Sequence, residues 1–184
     1  MPKGIRPTKN KVRKALFDIL GDIEGLSFLE LFAGSGGVSF EAVSRGAAEL
    51  TLVEDNRDCL PVIRKNIESL ALKSCSLYPL EAEKAIRGFH NNKRKFNIIF
   101  LDPPYFKGKV PRLRSGLAGA SINDSLAKKT LLSLAAYDIL APNGFIVIQH
   151  FKKDNIPEAA GDLRLFRQSR YGDTVLSFYR KCAR

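Results

Sequence analysis

Short apolar runs alternate with stretches of helical period along most of this chain, and that alternation constrains the fold more than any other feature. Residues 28–32, 50–53, 76–78, 96–101 and 145–149 read as strands. Residues 8–23, 38–44, 57–70, 82–89 and 125–140 carry apolar side chains at helical spacing, as with Leu60, Ile63, Ile67 and Leu70. Thr8 and Ser125 stand where helices start, and Pro61 falls in a first turn, where proline is tolerated. Pro142-Asn143-Gly144 reads as the stop of the last helix. After it, residues 163–169 and 174–179 form two alternating runs joined at Tyr171-Gly172-Asp173. Strand–helix alternation closed by a hairpin predicts an α/β Rossmann-like sandwich. Its sheet is expected to have seven strands, mostly parallel, with an antiparallel C-terminal hairpin.

The chain of 184 residues fits a single domain, 1–184, with a basic N-terminal helix region at 1–25 and a long irregular stretch at 106–124. That stretch adjoins the Pro-Pro turn at 103–104 and is expected to be a mobile active-site loop. No apolar run approaches the roughly 20 residues of a membrane helix, and the N-terminus lacks a signal-peptide core. Three cysteines without Cys-x-x-Cys spacing and only two histidines argue against a disulfide framework or a metal site. A cytoplasmic monomer without metal is the expectation.

The net charge of +11 divides the possible partners. Lys3, Arg6, Lys9, Lys11, Arg13 and Lys14 come with no acid among them, and Lys107, Lys109, Arg112 and Arg114 form a second group. Such clusters are either a solvated basic surface or a face that binds nucleic-acid phosphates.

Two motifs carry chemistry. Asp102-Pro103-Pro104-Tyr105 follows the fourth strand. Two prolines end a strand abruptly, which leaves a carboxylate, a carbonyl and an aromatic ring in a stiff turn. That group is either a plain strand-end turn or an acceptor pair for an amine beside a stacking ring. Glu30-Leu31-Phe32-Ala33-Gly34-Ser35-Gly36-Gly37 joins a strand to a helix, where glycines let backbone amides approach a ligand. It is neither a dinucleotide Gly-x-Gly-x-x-Gly nor a P-loop, because position 39 is Ser and the lysine is missing. Glu54 ends the second strand. It is either an ordinary exposed acid or the group that takes ribose hydroxyls.

Together these motifs resemble S-adenosylmethionine-dependent methyltransferases that modify exocyclic amines. Gly4-Ile5-Arg6-Pro7-Thr8 with Val12-Arg13 and Ala15-Leu16-Phe17, and Tyr171-Gly172-Asp173-Thr174-Val175-Leu176 ending in Tyr179-Arg180-Lys181, narrow the match. They are similar to the leading and closing motifs of the bacterial 16S ribosomal RNA (guanine-N(2)-)-methyltransferase family. The resemblance implies that Glu30, Ala33, Gly34, Ser35 and Gly36 line the methionine end of S-adenosyl-L-methionine and that Glu54 holds its ribose. It places Glu81 and Ala82 at the adenine, and Arg6, Pro7 and Thr8 either at the closure of the pocket or against the substrate. Asp102, Pro103, Pro104 and Tyr105 become the catalytic turn. The implied partner is 16S ribosomal RNA within a small-subunit assembly intermediate, bound through Lys9, Lys11, Arg13, Lys107, Lys109, Arg112 and Arg114.

Three departures accompany the resemblance. The family's basic segment ahead of Arg6-Pro7-Thr8 is not present in this sequence, so an RNA-docking element is expected to be missing or replaced. Residues 108–123 read as an insertion, and Gln149 stands where the family ends strand five with Glu. Competing readings are a DNA adenine-amine methyltransferase, which usually needs an added recognition domain, and a protein glutamine methylase, which has Asn in place of Asp102. A non-catalytic RNA-binding module of the same fold is the third.

Overall fold

The structure, a computed structural model, describes residues 10–104 and 125–182. In chain order the elements are α1 (Asn10–Leu20), β1 (Ser27–Leu31), α2 (Gly37–Ser44), β2 (Glu49–Val53), α3 (Leu60–Ser69), β3 (Cys75–Tyr78) and α4 (Ala82–Asn91). They continue with β4 (Phe96–Leu101), α5 (Leu126–Ala136), β5 (Leu140–Phe151), β6 (Ala159–Ala160), β7 (Leu163–Tyr171) and β8 (Thr174–Lys181). The strands form one sheet in the order β3-β2-β1-β4-β5-β8-β7-β6. β1 to β5 run parallel, and β8, β7 and β6 add in antiparallel fashion.

Side chains alternate across the sheet, so each strand feeds two cores. Leu29, Leu31, Ile99, Leu101, Ile146 and Ile148 pack against Ala85, Ile86 and Phe89 of α4 and Leu131 and Leu134 of α5. Phe28, Leu50, Leu52, Ile98, Phe100, Val147 and Phe178 pack on the other face, against α1, α2 and α3. The continuous apolar runs of the parallel strands follow from this two-sided burial. α1 stops at Gly21, whose amide bonds the Phe17 carbonyl at 3.0 Å and whose φ is 72°. The β7–β8 hairpin turns through Gly172, with φ 66°, between the paired residues Tyr171 and Thr174.

The α/β class, the parallel order and the terminal hairpin match the sequence reading. The sheet has eight strands rather than seven, the addition being the two-residue β6. α5 ends at Ala136, not at residue 140. Its apolar period runs on into Ile139 and Leu140, but the Ile139 carbonyl accepts from Phe96 N at 2.9 Å and Leu140 pairs with Phe96. Pro142-Asn143-Gly144 therefore lies inside β5 as a bulge, where pairing jumps from Phe96–Leu140 to Ile98–Phe145. Asn143 takes φ 59° there. A Cβ on Gly144 would stand 2.7 Å from the Asn97 carbonyl oxygen, so the bulge requires glycine. Among the described residues no helix is long and apolar enough to cross a membrane.

Candidate active site

Register brings the site together. Leu31 pairs with Val53 on one side and Leu101 on the other, and Leu101 pairs with Ile148. The next residue on each strand is Phe32, Glu54, Asp102 and Gln149. Phe32, Glu54 and Asp102 stand just past the carboxyl ends of β1, β2 and β4, with Gln149 in the same row inside β5, at the end of the sheet where open α/β folds bind ligands.

The Gly-rich loop leaves this row between β1 and α2. Phe32 takes φ 62°, uncommon for a non-glycine residue, and turns the chain out of the sheet. Ala33 N then bonds the Val53 carbonyl at 3.1 Å, and Gly36 N bonds the Ala33 carbonyl at 2.7 Å. Gly36 has φ 78°, and a Cβ there would strike the Phe40 ring at 2.6 Å. Asn66 of α3 braces the loop, its Nδ2 donating to the Ser35 carbonyl at 3.2 Å.

Two acids anchor the loop from inside. Glu54 is 8% exposed, so it is not an ordinary exposed acid. Its Oε2 accepts from Gly34 N at 2.6 Å and its Oε1 from Asn56 N at 2.9 Å. Glu30, 3% exposed, accepts at Oε2 from Ser39 N at 2.9 Å in the first turn of α2. Burial pushes the Glu30 carboxyl up to about 8; Ser39 pulls the other way, and the Asp102 and Glu54 carboxylates push it further up. Burial thus favours the protonated form of this acid in the folded protein.

Asp102 heads the turn formed with Pro103 and Pro104. Its Oδ2 accepts from Gln149 Nε2 at 2.6 Å. Gln149 is 6% exposed, and its carbonyl Oε1 is buried without a hydrogen-bond partner among the described residues. In the sequence Gln149 stands out only as a departure, with no role attached. Its place beside Asp102 follows from the pairing of β4 with β5, which no local motif encodes.

The other candidates separate. Ala33 is buried at the loop, and Ser35 and Gly34 lie on it. Glu81 stands at the N-terminal boundary of α4 without a side-chain capping bond and pairs with Lys84 at 3.1 Å, while the neighbouring Ala82 is buried. Lys11 is exposed on α1. Arg13 turns toward α2: its Nη1 lies 3.4 Å from the point a Cβ on Gly37 would take, and its Nε is 3.9 Å from Glu41. Arg6, Thr8, Lys9, Tyr105, Lys107, Lys109, Arg112, Arg114 and the 106–124 loop lie outside the described residues. Within the described residues no group of three or more His, Cys, Asp or Glu side chains could hold a metal ion. Cys59 is buried next to Glu54, and burial pushes its thiol up to about 11, which leaves it unreactive.

Residues 1–180 match the model of the family described as Conserved hypothetical protein 95. YlbH of Bacillus subtilis (strain 168), named as a candidate rRNA methyltransferase, is 34% identical over 179 residues, which is 96% of this chain and 88% of that protein. Ribosomal RNA small subunit methyltransferase D of Escherichia coli (strain K12) is 27% identical over 179 residues, 97% of this chain and 80% of that protein. The solved structure of a conserved hypothetical protein of Streptococcus pyogenes superposes with a TM-score of 0.72 at 32% identity, covering 91% of this chain and 93% of that one. The fold is shared with the Thermus thermophilus 16S rRNA N2 G1207 methyltransferase solved in complex with AdoMet and guanosine, which superposes with a TM-score of 0.70 at 21% identity, covering 98% of this chain and 44% of that one. The chain belongs to the Conserved hypothetical protein 95 family, a bacterial family of 16S ribosomal RNA methyltransferases.

Proposed function

We propose that this protein methylates the exocyclic N2 amine of a guanine in 16S ribosomal RNA. The observation that carries the reading is Asp102, held at the carboxyl end of β4 in a Pro-Pro turn and in one row with Glu54 and the Gly-rich loop.

The residues fit S-adenosylmethionine. Glu54 stands against a loop of backbone amides at the strand ends, which suits a ligand bearing ribose hydroxyls and a carboxylate. Glu30, Ala33, Gly34, Ser35 and Gly36 would hold the methionine end, Glu54 the ribose, and Glu81 and Ala82 the adenine, with Arg6 and Thr8 closing the pocket. The bound cofactor supplies an electrophilic methyl group.

The chain's own task is to make a poor nucleophile attack. The guanine amine shares its lone pair with the ring. Asp102 and the Pro103 carbonyl each accept one amine N–H, which draws the nitrogen toward tetrahedral geometry and frees the pair. Pro104 stiffens the turn, and Tyr105 stacks on the base. The amine sheds one proton as it gains carbon, and Asp102 holds that N–H. A base-paired amine is inaccessible, so the target is unpaired or extruded. Lys9, Lys11, Arg13, Lys107, Lys109, Arg112 and Arg114 are the proposed phosphate contacts, on a chain of net charge +11. We assign the action to a cytoplasmic monomer working on a small-subunit assembly intermediate.

Labelled S-adenosylmethionine offered with assembly intermediates, naked rRNA, DNA and protein tests the reading. Label in N2-methylguanosine of 16S rRNA is expected. Label in N6-methyladenine of DNA, or in protein glutamine, contradicts it.

A further inference from the structure

The hydrogen bond between Asp102 and Gln149 settles which end of the Gln149 amide faces where. A carboxylate only accepts, so the 2.6 Å bond to Asp102 Oδ2 must come from the amide N–H. Turning the amide over would set two oxygens against each other, so Asp102 locks its orientation. The carbonyl Oε1 is thereby committed as an acceptor. It is buried on a residue 6% exposed and has no partner among the described residues. Buried amide carbonyls are nearly always paired, so this one points to a ligand.

We propose that Gln149 selects the target base: its N–H fixes Asp102, and its Oε1 accepts the ring N1–H next to the amine. The inference rests on Asp102 being the acceptor of that amine. Guanine presents two donors side by side on this edge, N1–H and N2–H. Adenine presents one donor, N6–H, beside an acceptor, N1. Two fixed acceptors match the guanine edge, and against adenine Oε1 would face a lone pair. The preference for guanine is thus built into the β4–β5 pairing that sets these residues side by side.

The test compares two bases at the mapped target position of a 16S rRNA fragment: guanine, and 2-aminopurine, which keeps the 2-amine but has no N1–H. The wild-type protein is expected to favour guanine in kcat/KM on the order of a hundredfold, the upper end of what leaving one buried acceptor unpaired costs. Gln149→Met removes both ends of the amide. It should slow guanine far more than 2-aminopurine, bringing the two within a few-fold of each other, with cofactor affinity unchanged. Gln149→Glu keeps an acceptor and sets a second carboxyl group against Asp102, the two sharing one proton in place of the amide N–H, so it should retain the preference for guanine. Equal wild-type rates on the two bases overturn the inference without any variant, as does a Gln149→Met that slows both bases equally. Asp102→Ala separates the layers: continued guanine methylation by that variant means the underlying role of Asp102 is wrong, whatever Gln149 does.

Discussion

Replacing Glu54 with alanine removes two hydrogen bonds at once, to Gly34 N at 2.6 Å and to Asn56 N at 2.9 Å. Bonds to a charged acceptor contribute about 1.5–3 kcal/mol each, and water recovers part of the loss where the loop meets solvent. The expected destabilisation is therefore about 2–4 kcal/mol. At roughly 2–4 °C per kcal/mol for a chain of this size, melting should fall by roughly 5–15 °C. The same carboxylate is assigned the ribose, so cofactor affinity should fall as well, by about 1–3 kcal/mol or roughly five- to 150-fold. Glu54→Gln keeps the shape and one acceptor, and should fall between wild type and alanine in both measurements. Calorimetric titration with S-adenosylmethionine well below the melting point of the variant reads affinity apart from stability. A folded Glu54→Ala protein with wild-type affinity would refute the reasoning, because Glu54 would then be only a brace for the loop.

Other perturbations have defined outcomes. The Glu30 carboxyl moves from an ordinary 4.5 to about 8 on folding. The unfolded chain ionises first as pH rises, so stability should be full below about 4.5, fall across the interval and level off above about 8. Glu30→Gln, which still accepts from Ser39 N, should remove that slope and be about 2–4 kcal/mol more stable than wild type near pH 8.5 by urea denaturation; parallel pH profiles would show that Glu30 is not buried as an acid. Gly144→Ala forces a Cβ onto the Asn97 and Ala141 carbonyl oxygens at 2.7 and 3.0 Å and should cost about 1–3 kcal/mol in the same assay, with no cost arguing against the β5 bulge. RNA affinity should fall steeply with salt. Removing one phosphate-binding cation, for example in Lys11→Ala, should reduce the log–log slope by about 0.7–0.9. A salt-insensitive complex would contradict a phosphate-binding face.

The parts of the fold that were legible in the sequence are those with strong local signals. The parallel strands show as continuous apolar runs because both faces are buried, and the two-residue turn shows through Gly172. The end of α5 did not show, because Ile139 and Leu140 continue a helical period while their backbone pairs with Phe96 of β4. Pro142-Asn143-Gly144 has the composition of a turn and is used as a bulge inside a strand. β6 is two residues long and leaves no pattern. Within the site, Asp102, Glu54 and the glycines were legible as motifs. Their connections were not: Glu54 bonding to Gly34 and Gln149 to Asp102 depend on strand register between distant segments, and Glu30 bonding to Ser39 on how the loop folds α2 back over β1. Lys93-Arg94-Lys95 reads as a basic cluster, yet Arg94 bonds Glu49, Thr51 and Tyr78, and Lys95 pairs with Asp138. Composition alone does not separate such paired cations from those that face solvent.

Single-turnover methyl transfer by Asp102→Ala, at saturating S-adenosylmethionine and 16S rRNA, tests the central claim most directly. Asp102 acts on the amine as positive charge develops there, so its loss should depress the chemical step and leave cofactor binding intact. Nucleoside mass spectrometry should find N2-methylguanosine with the wild-type protein and essentially none with the variant. A folded, cofactor-binding Asp102→Ala protein that still makes N2-methylguanosine at near the wild-type rate would contradict the account.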